Sequence, residues 1–312
     1  DNPLVLNLST GELTMTTASV SPASAQVNHS RFADRKLTFW GVLRSEVLKF
    51  RTLTTNWVMT LILAVVMVGM APLYSLMLNS MAESAEMMAQ ASEGMAQTNA
   101  GIESMTNMAY ALGASGVDLA NMLIAAVAAV FIGAEYATRS IHTSLTVVPR
   151  RSSLYIAKLL VLSVYGFVLG FVLAALAYAA GYPVLDSAIR DTLEFTDGLV
   201  LNWVAVGIYF MFMTWMGYGF GALFRNNAGG IVMVVFLLFV LPIIAAIFMG
   251  QFEWVADAYN YLPSGLGRVI LTYDLSSDAD ISYLEGGAWF ALWAAVPALL
   301  GYLRFTLTDT RG

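Results

Sequence analysis

Three stretches of this chain, 159–185, 198–224 and 226–252, carry no charged side chain at all. A helix rises 1.5 Å per residue, so about 20 apolar residues cross the roughly 30 Å of hydrocarbon in a bilayer. Each stretch is long enough to do so. Three further apolar runs bring the expected spans to six: 57–78, 117–134, 155–180, 200–224, 228–249 and 286–303. The second and sixth are the shortest, and "DLANMLIAAVAAVFIGAE" fills with Ala and Leu what it lacks in length. Hydrophobic residues make up 58% of the 312 and charged ones 12%. A soluble domain carries about 25% charged residues, so this chain has too little polar surface to cover a water-soluble globule. The expected fold class is therefore all-α: a polytopic membrane protein with six transmembrane helices.

The basic residues orient it. Lys and Arg are retained on the cytoplasmic side, whereas acidic residues have little orienting power. Thirteen of the fifteen fall before the first span, between the second and third, or after the fourth and sixth; only Arg190 and Arg268 lie in the opposite loops. Those opposite loops, with Asp118 at the outer end of the second span, hold fifteen of the twenty-one carboxylates. Both termini are then expected in the cytoplasm, which requires an even number of spans, and the location is the plasma membrane. Residues 1–38 are rich in Ser, Thr, Asn and Ala and lack the apolar core of a secretory signal, so a mobile tail is expected there. Met15 is an alternative natural start, with 1–14 then an addition. A second short tail is expected at 306–312.

An acidic outer loop, 79–116, contains four sevens, "MAESAEM MAQASEG MAQTNAG IESMTNM". Met81, Met88, Met95 and Ile102 share one phase, and Ser84, Ala91, Thr98 and Met105 follow three residues later, which describes a narrow helical seam. Gly94 and Gly101 each cost such a helix about 1 kcal/mol. The expectation is a helical hairpin that extends the first span outward and packs on its neighbour. The sharper alternative is an external gate or substrate-contacting cap, since Met adapts to varied apolar partners.

Ionisable residues are expected within spans only for a purpose, because each costs about 3 kcal/mol or more at depth. The spans read as having none: Asp118 sits near an outer end, Glu135 and Arg225 at inner ends. A proton or sodium relay, a voltage sensor and an intramembrane carboxylate protease therefore lack their usual equipment. Cysteine is absent, and His29 and His142, the only histidines, are too far apart for a metal-binding helix pair. No G-x-x-x-x-G-K-[ST] loop occurs, and "PSGLGR" at 263–268 reads as a turn. No metal, cofactor or nucleic acid is expected on this chain, and the energy for any work must come from elsewhere. Gly166 with Gly170, and Gly217 with Gly221, are spaced for close helix packing. In "YFMFMTWMGYGF", Met211, Met213, Trp215 and Met216 are candidates to line a route for greasy cargo, against the plainer reading of ordinary packing.

Two inner segments are more specific. In "FWGVLRSEVLKFRTLTTNW", 39–57, Phe39, Trp40, Val42, Leu43, Val47, Leu48 and Phe50 form an apolar face, while Arg44, Lys49 and Arg51 reach toward anionic headgroups. Such a helix lies in the interface and then turns into the membrane. In "GAEYATRSIHTSLTVVPRRSSLYIAK", 133–158, Glu135 and Arg139 are spaced for an i,i+4 pair, Pro149 ends the element, and Arg150 and Arg151 mark the inner surface.

The order "RSEVLKFRT", first span, second span, "EYATRSIHTSL", "PRR" and "AK", then four more spans with a long outer segment before the last, resembles an ATP-binding-cassette (ABC) type-2 permease of the kind common in high-GC Gram-positive bacteria. The resemblance covers roughly 39–305. It implies that 39–56 is a connecting helix carrying Arg44, Glu46, Lys49 and Arg51. It also implies that 135–150 is a coupling helix docking on a separate ATPase subunit through Glu135, Tyr136, Arg139, Ile141, His142, Pro149 and Arg150. Residues 250–285, with Trp254, Tyr259 and Tyr261, would match the family's re-entrant external helices. ATP and Mg would sit on the partner ATPase, and a second permease, identical or homologous, would complete a dimeric pore in membrane lipid. The implied function is outward movement of an amphiphilic or apolar cargo such as a lipid, peptide antibiotic or drug. Arg139 stands where many such permeases carry Gly, and the outer heptad loop is longer. An ion-coupled secondary transporter, recognisable by an internal repeat of spans, and a non-transporting membrane subunit that presents the outer heptads to a partner are the alternatives.

Overall fold

The apolar runs form helices with no competitor for their backbone hydrogen bonds, and among the described residues six are long and apolar enough to cross a membrane: Thr54–Ala85, Met105–Ala137, Arg151–Val184, Gly198–Phe224, Asn227–Phe248 and Tyr283–Leu307. The chain is a multi-pass, all-α membrane protein. The computed structural model describes residues 38–91, 105–138, 140–147, 150–272 and 281–307, and no strand occurs among them. The expected N-terminal tail up to residue 37 and residues 308–312 lie outside the described residues.

Helix α1, Phe39–Thr52, opens on Thr38, whose Oγ1 accepts from the Gly41 amide at 3.3 Å. Leu53 is extended and breaks it from α2, Thr54–Ala91. The turn is held from the α2 side. Asn56 Nδ2 donates to the Phe50 carbonyl at 3.1 Å and Trp57 Nε1 to the Arg51 carbonyl at 2.8 Å, so the last carbonyls of α1 are capped by the first turn of α2.

At 38 residues α2 is about 57 Å long, nearly twice the hydrocarbon thickness. The first span therefore does continue into the heptad segment as helix. Its packed face differs from the seam expected there. Leu78 and Ala82 are buried against Met105, Ala109, Leu112 and Ile189, while Met81 is exposed. The packed stripe is the inner face of the span prolonged, one residue away from the methionine phase. The Met88 side chain, and Met95, Thr98 and Ile102, lie outside the described residues.

The second crossing is longer than 117–134. Residues 105–110 are helical (α3), a 3₁₀ turn follows at Ala111–Ala114, and α4 runs from Val117 to Ala137. A short α5, Ser140–Val147, joins it to α6, Arg151–Gly181. After the small α7, Ser187–Arg190, comes α8, Asp197–Phe224. The fifth crossing is α9, Asn227–Val235, continued by a π turn at Phe236–Val240 into α10, Leu241–Phe248. Pro242 lacks the N–H that an α-helix would offer the Leu238 carbonyl, and the wider turn sits directly before it. Helices α11, Glu253–Asn260, and α12, Pro263–Thr272, precede α13, Tyr283–Leu307. Trp293 Nε1 donates to the Tyr261 carbonyl at 2.8 Å, so the α11–α12 turn reaches roughly 15 Å along α13. Asn202 Nδ2, buried in α8, donates to the Leu271 carbonyl of α12 at 2.6 Å. This helix pair thus lies beside the spans rather than only capping them.

The core centres on α8, and glycine makes its neighbours fit. A Cβ on Gly170 of α6 would lie 2.7 Å from the Val206 carbonyl oxygen of α8. One on Gly217 would lie 2.7 Å from the Ala125 carbonyl carbon of α4. Both spacings expected from the sequence are used, and they bring α8 into backbone contact with two different helices. Met213 and Met216 of α8 are fully buried in this core.

Gly217→Leu is expected to destabilise the fold by about 1–3 kcal/mol, the usual cost of overpacking. Gly69→Ala, where a Cβ meets nothing within 4 Å, is the control. Thermal unfolding followed by tryptophan fluorescence measures both; equal midpoints would refute the close-packing account.

Candidate functional site

On α1 the i, i+4, i+8 stripe of Val42, Glu46 and Phe50 faces the protein, so a carboxylate is carried inward between two apolar side chains. Phe50 packs on Phe131 of α4 at 5.2 Å between ring centroids and on Tyr165 of α6 at 4.6 Å. This aromatic lock sets the depth of α1. Glu46 is 1% exposed, Glu135 in the last turn of α4 is 9% exposed, and Lys158 in the second turn of α6 is 0% exposed.

These three and Lys49 close a ring. Lys158 Nζ donates to Glu46 Oε2 and, at 2.7 Å, to Glu135 Oε1. Lys49 Nζ donates to Glu46 Oε1 at 2.8 Å and to Glu135 Oε1 at 3.2 Å. An ammonium has three protons, and each lysine has a third partner. For Lys49 it is Ser144 Oγ of α5 at 3.1 Å; for Lys158 it is the face of Phe131, 4.6 Å from the ring centroid. Two carboxylates and two ammoniums sum to zero charge, which is what allows them to be buried together. Glu135 Oε2 is buried without a hydrogen-bond partner among the described residues.

The ring joins four elements, α1, α4, α5 and α6, at the end of the bundle where α1 lies. Next to Lys158, Tyr155 extends the connection: its hydroxyl donates to the Ala298 carbonyl of α13 at 2.7 Å, and its carbonyl accepts from Tyr218 of α8 at 3.2 Å. Tyr155 also packs on Phe305 of α13. At this end α2 is thus tied to α1, and α8 and α13 are tied to α6, so five of the six crossings are linked to one another around the ring.

Lys158 corrects the expectation that no ionisable residue sits within the spans. It lies inside the expected third span, and its burial is complete because Glu46, from the interfacial helix, comes to it. The expected segment 135–150 divides in the structure: Glu135, Tyr136 and Ala137 finish α4, and the separate helix is Ser140–Val147. Described partners of Glu135 are the two lysines. Arg139 and Pro149 lie outside the described residues, as does the His142 side chain. Ile141 is buried beside Val42 and Phe50, Tyr136 is half-buried, and Ser140, Thr146 and Arg150 are exposed. Arg44 and Arg51 are exposed on α1. Of the four cargo candidates, Met213 and Met216 face other side chains, Met211 is half-buried near Gly166, and Trp215 donates to Ser163 Oγ at 2.7 Å while bordering a shallow groove with Tyr302.

Among the described residues no group of three or more His, Asp or Glu could hold a metal ion. No protein-family model matches the chain, and no curated protein matches it.

Burial pulls the Lys49 ammonium down, but the Glu46 hydrogen bond, the two carboxylate charges and the Glu135 hydrogen bond outweigh it and hold Lys49 above its ordinary 10.5. A raised lysine stabilises the fold fully below about pH 10.5 and loses that contribution as pH climbs through the higher folded value. The stability difference between the wild type and Lys49→Met should therefore be flat through neutral pH and shrink only at strongly alkaline pH, as read from unfolding midpoints. A difference that vanishes near pH 8 would contradict the ring. Lys158→Met should cost about 3–5 kcal/mol, since it leaves two buried carboxylates to share the one remaining ammonium, Lys49. Adding Glu46→Gln should recover part of the loss.

Proposed function

We propose that the chain is the membrane-spanning permease subunit of an ATP-driven ABC exporter, seated in the plasma membrane with both termini cytoplasmic. It would form half of a dimeric pore with a second permease. ATP and Mg are held by a separate ATPase subunit, and the cargo is amphiphilic or apolar. The observation that carries this reading is the ion ring, because it ties the short α5 helix to the interfacial helix and the roots of the spans. A motor pressing on the exposed Ser140 and Thr146 of α5 and on Arg150 at the start of α6 would find a joint that resists opening. Parting the ring would strand charges in an apolar setting, so displacement passes into tilting of α1, α4 and α6 instead. ATP-driven approach of two motor subunits would then change pore access through a conformational equilibrium that the cargo biases only by binding one state better.

The one-sided placement of charge supports the same reading. Secondary transporters hold their coupling-ion site near the bilayer midplane. Here the buried ionisable cluster lies at one end of the bundle and its charges cancel.

The test begins with orientation. The chain has no cysteine, so Ser140→Cys is a clean single label. An impermeant maleimide should react with it only after cells are opened; labelling in intact cells would reverse the topology and sink the proposal. The tagged chain should co-purify with an ATPase subunit. In reconstituted vesicles the Glu46→Gln, Lys158→Met double variant should keep ATPase assembly while cargo transport falls about tenfold, within the usual range of coupling free energies. Unchanged transport would refute the ring's role in coupling.

A further inference from the structure

On the α1 side, α1, α2 and α6 enclose a slot of about 680 Å³, within the size range of ligand pockets. Trp40, Val47, Trp57, Leu160 and Val164 line it, and its walls are almost wholly apolar. The rim points away from the protein: Val164 is 62% exposed, and Trp40 and Trp57 are also exposed. In a multi-pass membrane protein such an opening meets acyl chains.

One end of the slot is polar. Thr60 Oγ1 and the Tyr165 hydroxyl bond each other at 2.6 Å, and Thr60 also donates to the Asn56 carbonyl. Asn56 lines the slot, is 2% exposed, and donates one amide N–H to the Phe50 carbonyl, while its buried Oδ1 has no hydrogen-bond partner among the described residues. Arg51, exposed and also lining the slot, places a positive charge at the same turn. The first turn of α2 adds its positive helix end. The opposing negative end of α1 is muted, because Asn56, Trp57 and the Leu53 amide take up its last carbonyls.

We infer that the slot is a binding site for one anionic phospholipid. An acyl chain lies between α1, α2 and α6, and the phosphate faces Arg51 at the α1–α2 turn. Bound there, the lipid wedges the α1–α2 turn from the side opposite the ion ring. The inference requires only that the helices cross a bilayer and does not depend on the permease reading.

The experiment uses the full chain in nanodiscs of phosphatidylcholine alone or with phosphatidylglycerol of the same acyl composition. Native mass spectrometry reads retained lipid, and tryptophan fluorescence reads the unfolding midpoint. Phosphatidylglycerol should be retained in preference to phosphatidylcholine and should raise the midpoint. Arg51→Ala should weaken that preference roughly fivefold at low salt, the effect of one surface charge on anionic lipid. Arg51→Lys should restore most of it. Val164→Trp fills the slot at an exposed rim, so it should abolish the preference while keeping the phosphatidylcholine midpoint. Equal retention of the two lipids by the wild type, or a preference that survives both Arg51→Ala and Val164→Trp, would overturn the inference. So would a photoreactive probe at position 164 that captures protein, from this chain or a second copy, in place of lipid.

Discussion

A buried charge must be neutralised where it sits, and in this protein that requirement decides how four helices meet. Lys158 cannot rest within α6 without carboxylates, and the two it uses come from different parts of the chain, Glu46 on α1 and Glu135 on α4. Lys49 then closes the ring and reaches α5 through Ser144. Ion pairs of this kind are weak evidence for extra stability, since desolvation offsets much of their attraction. Their stronger consequence is geometric. Few arrangements of α1 over the bundle would satisfy both carboxylates and both ammoniums, so the ring selects one.

Aromatic packing and glycine contacts complete the frame. Phe50 wedges between Phe131 and Tyr165, which places the α1 stripe at the depth where Glu46 meets Lys158. Tyr155, one turn from Lys158, binds the backbone of α13 and carries the backbone of α6 to Tyr218. Where the ring is polar and directional, the α8 contacts are close and apolar: Gly170 and Gly217 let the backbones approach, so dispersion and shape hold that part together without charge. A bilayer offers no hydrophobic drive for one apolar helix to leave lipid for another, and these two kinds of contact supply what it does not.

The crossings were legible in the sequence because their signal is local: long apolar runs free of charge become helices wherever they lie. The packing glycines at 166, 170, 217 and 221 were legible for the same reason. The ring was not, although all its members were in view. Lys158 closes a basic stretch that reads as an inner flank, and the apolar run after it masks that it already stands eight residues into a helix. Glu46 was signalled more openly, since Val42, Glu46 and Phe50 share one face and a carboxylate midway along an apolar stripe needs a partner. The i,i+4 spacing of Glu135 and Arg139 drew attention to a neighbour in sequence, while the described partners of Glu135 lie 86 and 23 residues away. Of the outer heptads' seam, Met81 is exposed and Met105 is buried, because periodicity shows which residues share a face but not which face is packed, and the described part of the helix keeps the face its span has already buried.

The asymmetry between the two ends of the bundle bears on where motion is cheap. At the α1 end, charge pairing, capped carbonyls and edge-on or tilted ring contacts bind five crossings to one another. At the far end α11 and α12 lean on α13 and α8 mainly through apolar contacts, with the Trp293 and Asn202 hydrogen bonds to backbone as anchors. Apolar surfaces slide at little cost because their attraction depends on area and not direction, whereas a buried ion ring tolerates almost no shift before a charge is stranded. A force delivered at the α1 end therefore moves that end as a block, and the displacement is taken up where the contacts are non-directional. In the permease reading this is the arrangement that converts a push on one face into an opening on the other.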